Sequence, residues 1–144
     1  MNTFYGWGRK KSGFNAIKLA NLNENSKFIL REDGFIRSTG LGDSKSFSIV
    51  EDDLGIYYDA KTPSRLEFIL SNYDFKSDIK LLKKAKHAIE LIRKFKISKY
   101  NNGLQINKDY FKNLSKEKVL IIDQNKGDLS LKYGLAEKFN INQI

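Results

Sequence analysis

Apolar positions along this chain follow two different spacings in turn. Phe4, Tyr5 and Trp7 precede Gly8-Arg9-Lys10-Lys11 and read as the tail of a short buried strand. From Gly13 to Asn21 the spacing becomes helical, with Phe14, Ile17 and Leu19-Ala20 on one stripe. Lys27 to Arg31 reads as a strand that stops at the turn signal Glu32-Asp33-Gly34. Ser46 to Val50 and Ile56 to Tyr58 predict two more short strands. Thr62 then reads as an N-cap, with Pro63 at the first helical position and Glu67 in the early turns. The clearest helix runs from about Lys76 to Lys96, where Ile79, Leu82, Ala85, Ile89 and Ile92 recur at three- and four-residue steps. Ser98 to Ser115 is a polar connection. Val119-Leu120-Ile121-Ile122 is an apolar run rich in β-branched residues, predicting a central parallel strand buried on both faces. A helix from Leu129 to Phe139 follows, with Asp128 at its N-cap. Strands alternating with helices predict an α/β layer fold.

Length, composition and charge sharpen this picture. A chain of 144 residues is enough for one domain. It has no cysteine and one histidine, His87, which excludes a disulfide framework, a thiolate zinc site, a cysteine nucleophile and a His-rich metal centre. No apolar run approaches the ~18 residues of a membrane helix, and a reducing, cytoplasmic setting is expected. The net charge of +9 is concentrated: residues 76–100 hold 9 basic and 2 acidic side chains, whereas residues 1–75 hold 10 of each. That basic helix is either a solvated face or a contact for phosphates or an anionic membrane surface. Phe95 is the one aromatic side chain within its lysine run, too few for base stacking, so no nucleic acid is expected.

Two polar clusters fall just after predicted strands, where open α/β sheets place ligands. The first is Glu32-Asp33-Gly34-Phe35-Ile36-Arg37-Ser38, with two carboxylates, a guanidinium and a hydroxyl. By residue type alone it is also a charged turn closed by an Asp–Arg pair. The second is Asp123-Gln124-Asn125-Lys126-Gly127-Asp128-Leu129-Ser130. A carboxylate beside a helix N-terminus is held ionised by the backbone N–H groups and can attack an anomeric carbon. Capping alone also accounts for Asp128. The Gly8 to Gly13 stretch is not a phosphate loop, because Phe14-Asn15 stand where Lys and Ser/Thr are needed. Asp52, Asp53 and Asp59 do not have calcium-loop spacing and are expected to be solvated turn residues. His87 is expected at the surface.

Read together, several word-like runs resemble a known family, the bacterial capsule-polysaccharide synthesis proteins that act as retaining β-Kdo transferases. The runs are Trp7-Gly8 with Lys10; Glu32 to Ser38 continued by Gly40-Leu41-Gly42; Ser48-Ile49-Val50; Asp52-Asp53; and Gly55-Ile56-Tyr57-Tyr58-Asp59. Pro63-Ser64 with Leu66-Glu67, Ser98-Lys99-Tyr100-Asn101, and Val119-Leu120 through Asp123-Gln124 to Asp128, Ser130 and Gly134 follow in family order. The resemblance implies a GT-B-type glycosyltransferase of two Rossmann-like α/β halves facing a cleft. It implies transfer of Kdo from CMP-Kdo onto a lipid-linked Kdo acceptor at the cytoplasmic face of the inner membrane, with no cofactor. Carried over residue by residue, it makes Asp128 the catalytic nucleophile, with Gln124 and Ser130 in its segment. Glu32, Asp33, Arg37 and Ser38 would line the acceptor side of the cleft.

The family pattern also has a His-Pro pair after the Asp128 region and a strand and helix before the Trp-Gly motif. Here Pro63 and His87 are not adjacent, and Trp7 stands near the start. The expectation is therefore a single partial domain over 1–144, the acceptor-side half truncated at both ends. The donor-binding half would be missing or separately encoded, and the isolated chain inactive. The alternative is a basic binding module that contacts anionic lipid or nucleic acid through the Lys76–Lys99 helix.

Overall fold

A computed structural model of the chain describes every residue except 41–43, 104, 108, 113–116 and 139–144. Strand β1 (Asn2–Trp7), helix α1 (Lys11–Leu22) and strand β2 (Ser26–Asp33) form a crossover unit whose two strands pair in parallel. Strand β3 (Ile49–Asp52) adds to the other side of β2 antiparallel, giving a mixed sheet in the order β1-β2-β3. The chain is thus a small α/β structure, as the alternating pattern predicts. Leu30 lies at the centre, paired with Gly6 on one side and Asp52 on the other, and is fully buried. Helix α1 turns its small residues, Gly13, Ala16 and Ala20, inward. A Cβ at position 13 would collide with the carbonyl of Gly8, so this glycine is what lets the helix lie close on the turn after β1.

Beyond β3 the chain bends where a strand over Ile56–Tyr58 is expected. The Asp52 carboxylate causes the bend: its Oδ1 accepts the N–H groups of Leu54 and Gly55, each at 2.9 Å, and turns the backbone out of the sheet. Ile56 is fully buried under this turn, which is why its surroundings read as a strand. Oδ2 of the same carboxylate accepts the Arg65 N–H at 2.9 Å and fixes the start of helix α2 (Arg65–Asn72). The α2 cap is Ser64 rather than Thr62. Ser64 and Glu67 form a reciprocal capping box, whereas the Thr62 hydroxyl accepts a bond from Arg9. Asp52 and Asp59 are buried, against the expectation of solvated turn residues, because each has several donors to satisfy it. Asp53 is exposed and pairs with Arg65.

Helix α3 (Ile79–Phe95) starts at the Asp78 cap and stops at Lys96, which adopts a left-handed conformation with φ 54°. It has no buried residue, and His87 on it is exposed. Helix α4 (Leu129–Tyr133) is capped by Asp128 as predicted but ends early, where Gly134 N–H closes on Ser130 O and Leu135 turns to φ 62°. Phe139, Leu41 and Gly42 lie outside the described residues. The predicted central strand is not found. Val119, Leu120 and Ile122 are each at least 84% exposed, and the run joins no ladder. Among the described residues neither sheet edge pairs with it and no apolar layer covers it.

Candidate active site

Five segments meet beyond the carboxyl ends of the parallel strands β1 and β2. The turn after β1 contributes Trp7 and Lys10, and the end of β2 contributes Glu32 and Asp33. The turn after β3 contributes Tyr57 and Tyr58, and the loop after α3 contributes Lys99 and Tyr100. The segment leading into α4 contributes Gln124, Asp128, Leu129 and Ser130. Together they line an open cavity of about 340 Å³. Its position is the one expected of ligand sites in open α/β sheets.

The floor is a network of backbone and buried side chains. Gly8 has φ +37°, and a Cβ there would meet the Tyr58 hydroxyl and the Glu32 carboxylate. Gly8 N–H donates to Arg31 O at 2.9 Å and Arg9 N–H to the Tyr58 hydroxyl at 2.9 Å. The Arg9 guanidinium is buried; it donates to Asp59 at 2.5 Å and to the Thr62 hydroxyl at 2.7 Å. These bonds lock the turn after β1 onto the turn after β3. Tyr58 then donates to Glu32 Oε1 at 3.3 Å. Burial lifts the Glu32 carboxyl above the usual carboxylate range, outweighing the opposing bonds from Asp33 N–H and Tyr58. Burial also pushes the Tyr58 hydroxyl up to about 12, with the Glu32 charge adding to the rise.

Across the cavity Asp128 accepts the Ser130 N–H at 2.8 Å, and Gln124 donates to the Ser130 hydroxyl at 3.2 Å. The Ser130 amide, then its hydroxyl, and the Lys99 charge hold the Asp128 carboxyl below its ordinary value. One wall therefore carries a carboxylate kept ionised, and the other a carboxyl that keeps its proton longer. Lys10 lies 5.9 Å over the Trp7 ring and Lys99 5.5 Å over the Tyr100 ring. Each of these lysines is thus held beside an aromatic face at the rim of the cavity.

Of the residues singled out from sequence, Glu32, Asp33, Gln124, Asp128 and Ser130 line the cavity. Arg37 and Ser38 stand behind it. Arg37 pairs with Asp33 at 2.9 Å, and the N–H groups of Arg37 and Ser38 both donate to Lys99 O, at 2.8 and 3.2 Å. Ser38 is fully buried, its hydroxyl bonds to Gly40 O, and its carbonyl accepts from Asn101 at 3.1 Å. The two residues anchor the loop that presents Lys99 and Tyr100. Trp7, Lys10, Tyr57, Tyr58, Lys99 and Tyr100 were not selected as site residues. Their signal is positional, since each stands inside a word-like run, but spacing alone gives no reason to bring those runs to one place.

Comparison with known proteins gives consistent matches. Residues 3–143 match the family described as "Capsule polysaccharide biosynthesis protein". The chain is 41% identical over 136 residues to the capsule polysaccharide modification protein LipA of Neisseria meningitidis serogroup A, covering 92% of this chain and 19% of LipA. Among solved structures, the Thermosulfurimonas dismutans KpsC β-Kdo 2,4 transferase superposes with a TM-score of 0.80 at 42% identity, over 92% of this chain and 40% of that one. The KpsC β-Kdo 2,7 transferase gives 0.58 at 31% identity, over 91% of this chain and 37% of that one. The chain thus spans less than half the length of these relatives.

Proposed function

The chain belongs to the capsule polysaccharide biosynthesis family, and on that footing we propose that its cavity is the acceptor side of a β-Kdo transferase active site. The observation that carries this reading is the pair of carboxyl groups in one cavity with opposite tendencies. Asp128, held ionised, is the nucleophile. Its oxygen attacks the anomeric carbon of Kdo, the bond to the CMP phosphate breaks, and CMP leaves with the electron pair. In the second step Glu32 takes the proton of the acceptor hydroxyl, the new glycosidic bond forms, and the Asp128 carboxylate is released. Two displacements retain the anomeric configuration. Lys10 and Lys99 receive the sugar carboxylate, while Trp7 and Tyr100 flank the ring.

In this reading the chain is one Rossmann-like half of a GT-B enzyme, and CMP-Kdo is gripped chiefly by a second α/β half. The match to 40% of the 2,4 transferase supports such a division. The higher identity to that enzyme, 42% against 31%, favours a 2,4 linkage. In the same reading the acceptor is a lipid-linked Kdo at the cytoplasmic face of the inner membrane.

The test is a chimera in which this chain replaces its matching segment in the Thermosulfurimonas 2,4 transferase. With CMP-Kdo and a Kdo-terminated acceptor it should transfer Kdo and show a Kdo mass adduct on the Asp128 peptide. Asp128→Asn should lower turnover on the order of 10³-fold or more and remove the adduct. Retained turnover in a folded Asp128→Asn chimera defeats the assignment. For the unaltered chain alone, calorimetry with CMP should show no tight binding; tight binding defeats the division into halves.

A further inference from the structure

No residue of helix α3 is buried, and among the described residues the extensive element contacts join β1, α1, β2 and β3. Its periodicity is nevertheless strongly one-sided. At 100° per residue, Leu81, Leu82, Ala85, Ile89, Ile92 and Phe95 share an arc of about 140°. Leu82 is 44%, Ile89 54% and Phe95 63% exposed, so this stripe faces solvent. The helix carries six basic side chains and one acidic one. Three of the six border the stripe, Lys84 on one side and Lys86 and Arg93 on the other, while Lys80, Lys83 and Lys94 lie on the opposite face. Among the described residues none of the three bordering cations is in a salt bridge.

We infer that α3 lies in the interface of an anionic phospholipid bilayer, apolar stripe inward and flanking cations at the headgroups. A stripe bordered on both sides by long cationic side chains fits that surface, because the stems follow the apolar layer while the charged ends reach the lipid phosphates. A protein groove would need acidic rims to match both borders, and a nucleic acid would leave the apolar stripe uncovered. The inference does not depend on the catalytic reading, but it bears on the cavity. The helix is closed at its end by Ile97 N–H donating to Ile92 O at 3.0 Å, and Lys99 of the cavity wall follows two residues later. Lys99 O is fixed in turn by the N–H groups of Arg37 and Ser38. A bilayer that holds α3 is thus joined to the cavity wall by a short, hydrogen-bonded connection.

Flotation of the whole chain with vesicles tests this. Vesicles of phosphatidylglycerol and phosphatidylethanolamine should bind it at least tenfold more tightly than phosphatidylcholine vesicles, with further loss in high salt. Leu82→Gln with Ile89→Gln should weaken binding tenfold or more, and so should Lys84→Gln with Lys86→Gln and Arg93→Gln. Thermal melting should be unchanged in both, since these side chains contribute nothing to the core. Absence of binding to the anionic vesicles overturns the inference. So does equal binding to phosphatidylcholine, or anionic binding that the Leu82/Ile89 variant retains. A dimer in light scattering that dissociates in that variant assigns the stripe to a second copy of the chain. Tighter binding to a DNA duplex than to anionic vesicles assigns the cations to nucleic acid. Either result also overturns the inference.

Discussion

Asp128 and Glu32 open onto the same cavity, yet their surroundings move their protons in opposite directions. Asp128 is capped by an amide and sits near a cation, while Glu32 has lost water. In a carboxyl-carbon NMR titration Asp128 should therefore titrate below free aspartate and Glu32 above free glutamate. Tyr58→Phe should raise Glu32 further, because the hydroxyl bond is one of the influences that lower it. The signs for stability follow from linkage. The contribution of Asp128 is present above its unfolded value and is lost as the pH falls through its folded one. Glu32 binds its proton more tightly when folded, so it detracts from stability as the pH rises from its unfolded value through its folded one. Glu32→Gln should abolish that loss in urea titrations around the carboxylate range. Gly8→Ala places a methyl group against the Glu32 carboxylate at a positive φ, and should perturb the Glu32 titration as well as stability.

Among the elements, the capping of α2 is the most direct test of local order. Ser64→Ala removes the acceptor of the capping box and should cost about 1 kcal/mol in urea denaturation. Thr62→Ala should leave the α2 cap intact and act through Arg9, which loses its hydroxyl partner. From sequence the cap is expected at Thr62, because Pro63 suits a first helical position. The Thr62 hydroxyl instead takes a bond from Arg9, 53 residues away, which sequence does not place near it. Elements fixed by their own residues were legible: α1, β2, the body of α3 and the Asp128 cap. Those fixed by a distant partner were not. The turn at Ile56 is drawn by the Asp52 carboxylate, and Val119–Ile122 has the composition of a buried strand yet among the described residues joins no ladder.

For the molecule as a whole, the Arg9–Asp59 pair is the critical fastening. It is buried on both sides and joins the turns that carry Lys10 and Tyr58 to the cavity. Arg9→Ala leaves a carboxylate buried without its partner and should cost roughly 3–5 kcal/mol by chemical denaturation. Replacing both by apolar residues, Arg9→Met with Asp59→Leu, should recover most of that loss. Much of the site was legible as chemistry, since five of the seven residues singled out line the cavity. Its assembly was not, because Arg37 and Ser38 stand behind the cavity, where their N–H groups hold Lys99 O and the Arg37 guanidinium holds Asp33.

That backbone anchorage has a consequence for how the site can change over evolutionary time. The loop bearing Lys99 and Tyr100 is held by main-chain N–H groups donating to a main-chain carbonyl, a bond indifferent to the side chain at position 99. The cavity wall can therefore exchange its charge or its ring at 99 and 100 without re-engineering its support. A lineage that keeps the backbone at 37 and 38 in place retains a fixed socket into which different cavity-lining side chains can be fitted one substitution at a time.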